Sequence, residues 1–185
     1  MSFPLPWQVP EGSSRADGLR VLGDEKAIIV IDGEIVVERK AEDVFRFVAE
    51  GYFEHLGLWN KTLLSIRKTS EGPVAKGTSG VKEQKLRGDV RLRAFEVVEF
   101  ESPTLFAVQN TPSDLERHYL GRYRFLPLEN GATRVERHLE LDWNVLAFRL
   151  FPFLARRWAQ RDLDDGLRRL KAAVETAIPL SAPPA

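Results

Sequence analysis

The run YRFLPLENGATRVERHLEL, residues 123–141, carries period-two alternation on both sides of Glu129-Asn130-Gly131. A loop made of those three residues places glycine at the left-handed position of a type I turn with a G1 bulge. In that register Leu128 opposes Ala132, Phe125 faces Val135, Gly121 faces Leu139 and Tyr119 faces Leu141, all on one apolar face. The other face pairs Arg124 with Glu136 and His118 with Asp142. A two-residue loop would set Tyr123 against His138 and Phe125 against Glu136, mixing core and solvent sides, so the three-residue loop is predicted.

The same parity brings Arg137 to the inner face opposite Tyr123, and Arg117 opposite Trp143. A guanidinium in an apolar row is costly unless it is paired or wet. Two readings follow: a cavity arginine that meets a ligand carboxylate, phosphate or enolate, or an arginine at the cavity mouth paired with a carboxylate such as Asp162. Tyr119 and Tyr123 can offer hydroxyls to a ligand or serve as half-buried core rings.

Working outward, Thr62 to Trp143 alternates strands with turn signals at Gly72-Pro73, Gly88-Asp89, Ser102-Pro103 and Asn130-Gly131. Strands are predicted over about 62–70, 77–87, 90–100, 104–110, 115–127 and 132–143. The Ile/Val-rich run from Ala27 to Val37 makes seven, with Gly33 a bulge or kink. Ala41, Val44, Phe45 and Val48 mark one face of a short helix that Gly51 stops, and a second short helix covers Tyr52 to Leu58. Leu163, Leu167, Leu170 and Val174 mark a long helix with Pro152 in its first turn and Pro179 as its stop. Residues 1–25 read as an extended N-terminal arm, 26–178 as one domain and 179–185 as a tail. The architecture expected is α+β: a curved antiparallel sheet covered by one long helix, with a cavity where the helix fills the concave face poorly.

The element order and the motifs IVVERKAEDVFRFVAE, WNKTLLSIRKTSEGPVAKGTSG, VVEFESPTLFAV, YRFLPLENGATRVERHLEL and LRRLKAAVE resemble the START-like (Bet v 1-like, SRPBCC) superfamily, nearest its polyketide cyclase/dehydrase and lipid-transport group. The resemblance covers about residues 28–176 and implies the helix-grip fold with a hydrophobic cavity. It implies no universal catalytic residue. Arg39-Lys40 stand where members often carry Ala-Pro before the first helix.

Ten of the 18 aromatic rings fall between Phe45 and Trp59 or between Trp143 and Trp158. In the fold implied, both windows enclose one mouth of the cavity. Phe45, Phe53 and Trp59 are the ligand-lining candidates from the first, with Trp143, Phe148, Phe151 and Trp158 from the second. Tyr119, Tyr123, Phe125 and Arg137 line the sheet side. Ala155, Ala159 and Asp162 form a row on the long helix that Gly166 continues, leaving room beneath it. The plain alternative is that many of these rings only fill the core.

Twenty-seven basic residues balance 27 acidic ones, which excludes a strongly polycationic nucleic-acid binder. Cysteine is absent, so disulfides and thiolate chemistry are excluded. The register separates His118 from His138 by four residues along the sheet, so no metal site is expected, and no cofactor motif is found. Basic groups at Lys82, Lys85, Arg87, Arg91 and Arg93, and at Arg156, Arg157, Arg161, Arg168 and Arg169, read as solvated faces. The run LAFRLFPFLARRW could touch a membrane surface. No signal peptide or membrane-spanning run is seen, so the cytoplasm is the expected location, as monomer or homodimer.

The function expected is binding or transport of a hydrophobic small molecule such as a lipid, quinone or polyketide-like compound. One alternative is a cyclase/dehydrase-type enzyme in which Arg137 stabilises an enolate and Tyr123 assists proton transfer. The other is a protein- or ribosome-interaction module.

Overall fold

The computed structural model describes residues 19–22, 26–86, 89–112, 116–143 and 151–179. The chain runs β1 (Leu19–Leu22), β2 (Lys26–Val37), α1 (Ala41–Phe45), a π-helical turn (Arg46–Glu50), α2 (Tyr52–Trp59), β3 (Leu63–Lys68), β4 (Ser79–Leu86), β5 (Asp89–Glu101), β6 (Leu105–Asn110), β7 (Glu116–Pro127), β8 (Thr133–Trp143) and α3 (Pro152–Ala177). One antiparallel sheet of order β1-β2-β8-β7-β6-β5-β4-β3 holds all eight strands. Seven are those read from the alternation. The eighth, β1, lies in the segment read as an arm and pairs Leu19 with Ile29.

The β7–β8 hairpin takes the three-residue loop. Gly131 has φ +80°, Leu128 N–H donates to the Ala132 carbonyl at 2.8 Å, and Phe125 opposes Val135. One detail differs: a bulge between Glu116 and His118 sets Glu116, not Arg117, opposite Trp143. The bulge adds a residue to one strand and shifts the register beyond it. The Arg117 and Trp143 side chains lie outside the described residues.

In β2, Ile29, Ile31 and Val37 are buried while Asp32 is exposed, the alternation of a strand with one covered face. The covering element is α3, whose buried stripe is Ala155, Ala159, Leu163, Leu167, Leu170 and Val174. Gly33 lets it approach: a Cβ there would stand 2.9 Å from Leu167 Cδ1 and 3.1 Å from Leu163 Cδ2. Arg39 ties the far end. Its guanidinium donates to the Ile178 carbonyl and, at 2.7 Å, to the Glu175 carbonyl, satisfying acceptors that a helix C-terminus leaves open.

Two apolar clusters result. One gathers Phe45, Phe47, Tyr52, Trp59, Phe95, Phe106, Tyr123 and Phe125 between α1, α2 and the sheet. The other packs Ile29, Ile31, Leu139 and Leu141 against Ala155, Ala159, Leu163 and Leu167. The site lies where they meet.

Candidate functional site

A pocket of about 100 Å³ opens between α3, the end of α2 and the concave face of the sheet. One wall is apolar, made by Ile31, Leu139, Leu141, Ala159 and Leu163. The facing wall is polar and basic, with Asn60, Lys61, Thr62, Lys82, Gln84, Arg93 and Arg169. Trp59, Tyr119, Arg137 and Gly166 lie on its boundary, and Trp158, Asp162 and Asp165 complete it on the α3 side.

Arg137 reaches this place because β8 alternates Val135, Arg137, Leu139 and Leu141 inward, as the hairpin parity requires. Its guanidinium carbon lies 4.9 Å from the Tyr123 ring centroid, a cation–π contact. It is half-buried, and its Nε is shielded from solvent without a hydrogen-bond partner. Burial by itself would favour losing the charge. The oxygens of Tyr123, Tyr119 and Tyr52, with a hydrogen bond to Tyr119, more than offset this and hold Arg137 above the ordinary arginine range. The counter-ion considered from the sequence, Asp162, is engaged elsewhere, with Lys61 Nζ at 2.7 Å across the pocket mouth.

Lys82, read as part of a solvated basic face, is instead 2% exposed and lines the pocket. Its ammonium stands 4.8 Å from the Tyr119 ring centroid and 5.2 Å from that of Phe95. Gln84, two residues on, is also buried and donates to Thr62 Oγ1 at 3.1 Å. Parity explains both. Gly80 opposes the buried Phe95, so Lys82 and Gln84 share the inner face with Gly80, and Arg93 opposes Lys82.

Of the lining candidates, Trp59, Tyr119, Arg137, Trp158, Ala159 and Asp162 border this pocket. Phe45, Phe125 and Tyr123 do not. They are core rings, Phe45 edge-on to Phe125 at 5.5 Å and Tyr123 stacked between Phe106 and Phe125. The Tyr123 hydroxyl accepts a hydrogen bond from Trp59 Nε1 at 3.3 Å. Phe53 stacks on Phe95 at 5.7 Å, and Ala155 packs in the second apolar cluster. Phe151 is 60% exposed and does not line this pocket. Phe148 lies outside the described residues. The aromatic windows therefore do not converge on one mouth: the first is mostly core, and the described rings of the second are mostly surface.

A profile described as polyketide cyclase/dehydrase and lipid transport matches residues 29–175. The chain belongs to this family. A search of curated proteins returns no match. Among solved structures, TTHA0849 from Thermus thermophilus superposes with a TM-score of 0.67 at 20% identity, over 80% of this chain and 98% of its own. A START superfamily protein from Mycobacterium smegmatis gives 0.66 at 14% identity, over 80% and 99%. The ZhuI aromatase/cyclase from Streptomyces sp. R1128 gives 0.64 at 14% identity, over 80% and 94%. At such identities the likeness establishes the helix-grip fold.

On the opposite face of this polyketide cyclase/dehydrase-family sheet, two histidines meet over one carboxylate. His118 Nε2 lies 2.8 Å from one Glu140 oxygen and His138 Nε2 3.2 Å from the other, while His138 Nδ1 lies 2.7 Å from Asp32. The separation read from strand positions holds for the backbone, but both rings lean toward the intervening Glu140. The Asp32 bond, then that of Glu140, raises His138 to about 9, and the His138 bond draws Glu140 down to about 2. Among the described residues, no three His, Asp or Glu side chains are arranged to hold a metal ion. No described helix is long and apolar enough to cross a membrane.

Proposed function

We infer that the protein binds one small amphiphilic molecule in the pocket under α3, with an oxyanion directed at Arg137 and an apolar body against Ile31, Leu139, Leu141 and Leu163. The observation that carries this reading is the Arg137 guanidinium on the pocket boundary, its shielded Nε without a hydrogen-bond partner. The tyrosines give this cation neutral partners, and an anionic ligand group adds one of opposite charge. The basic lining supports an acid over a neutral lipid. Size refines the ligand class. A dry cavity of about 150 Å³ accepts benzene, so about 100 Å³ holds a head group and leaves a longer body to pass out beside Trp158.

The test is calorimetric titration of wild type and Arg137→Met with small aromatic carboxylates and their amides, after native mass spectrometry of the purified protein for retained ligand. Loss of a charged hydrogen bond of about 1.5–3 kcal/mol predicts roughly ten- to a hundredfold weaker binding of the acids by the variant. Equal affinity of both proteins for the acids overturns the role of Arg137. A cyclase/dehydrase-type activity is the second reading, favoured by the same guanidinium as a stabiliser of an enolate. Tyr119, which borders the pocket, replaces Tyr123 as the hydroxyl available to it.

A further inference from the structure

The first turns of α3 carry an unusual outer face. Phe153 is 72% exposed, Leu154 58% and Trp158 47%, and Phe151 just before the helix 60%. Helical phase explains the grouping. Ala155, Ala159 and Leu163 turn toward the sheet, so Phe153, Leu154, Arg157, Trp158 and Arg161 share the opposite side. From Phe153 to Arg161 the charges on this side are of one sign. Arg157 and Arg161 form no ion pair with a described residue, whereas the helix's own carboxylates are engaged further along: Asp162 by Lys61, Asp164 by Gln160 and Asp165 by Arg168.

Large apolar side chains interleaved with unneutralised arginines on one exposed helical face match an anionic lipid surface. The rings enter the boundary between head groups and acyl chains, and the arginines meet the phosphates. A protein partner would need both an apolar groove and a matching row of carboxylates. We propose that the outer face of the first turns of α3 docks the protein on anionic membranes. Trp158 belongs to both this face and the pocket, so docking sets the pocket mouth against the bilayer.

The test is co-sedimentation of the full chain with vesicles of phosphatidylcholine containing phosphatidylglycerol, against pure phosphatidylcholine, over a salt series. Binding to the mixed vesicles alone, released as salt rises, is expected. Phe153→Asp combined with Leu154→Asp should weaken it at least tenfold on the scale of apolar burial. Arg157→Gln and Arg161→Gln should each weaken it about fivefold. None of these four residues lines the pocket, so ligand titration stays at the wild-type value and the two proposals fail separately. Thermal melts by circular dichroism establish folding, and the arginine variants decide the matter if the acidic double variant does not fold. Absence of vesicle binding overturns the proposal, as does binding unchanged in the variants. Self-association that Phe153→Asp abolishes, with vesicles ignored, assigns the face to a second copy of the chain and overturns it too.

Discussion

Arg137 and Tyr123 oppose each other across β7 and β8, and the guanidinium of one stands 4.9 Å from the ring centroid of the other. The ring does two things at once. Its face supports the cation, and its hydroxyl accepts the indole N–H of Trp59. The base of the site is thereby tied to the end of α2.

That link is measurable by a double-mutant cycle. Tyr123→Phe keeps the ring under Arg137 but strands the Trp59 N–H, and a loss of about 1–3 kcal/mol is expected in urea denaturation. Trp59→Phe removes the same bond together with packing. The coupling should be about 0.5–1.5 kcal/mol; strict additivity would mean the bond contributes nothing.

The outer histidine–carboxylate group governs the pH profile. His138 is raised to about 9 from 6.5, so its contribution is complete below about 6.5 and is lost as pH rises through 9. Glu140 is lowered to about 2 from 4.5, so its contribution is complete above about 4.5 and is lost as pH falls through 2. Stability should peak between about pH 4.5 and 6.5. His138→Gln should flatten the alkaline limb, which melts at stepped pH would reveal; an unchanged limb would refute the assignment.

Gly33 sets the distance between sheet and helix. Gly33→Ala forces a methyl to 2.9 Å from Leu167 and 3.1 Å from Leu163, in a row that is otherwise packed. A destabilisation of about 1–3 kcal/mol is expected from overpacking. Gly72→Ala, with no atom within 4 Å of its Cβ but φ +80°, separates conformational strain from crowding in the same assay.

Much of this was legible in the chain because β7 and β8 alternate cleanly around Asn130-Gly131, and one parity choice then placed Tyr119, Arg137 and Leu139 together. Lys82 and Gln84 were hidden because β4, SGVKEQKL, carries polar residues on both faces. Its inward side can be told only from Phe95 on the next strand, by carrying that residue's parity outward through Arg93. The aromatic windows misled for the converse reason. Closeness in sequence says nothing of helical phase, and Phe153 sits on the side of α3 opposite Ala155. The bulge at Glu116 left no mark in the alternation.

The pairing of β2 with β8 sets Gly33 beside Arg137, residues about a hundred apart in the chain. Closing so long a loop brings its entropic cost before any contact rewards it, and such topologies fold slowly. The pocket draws on β2, α2, β4, β5, β7, β8 and α3. No early fragment of the growing chain can hold it, and during synthesis the pocket is among the last parts to take shape.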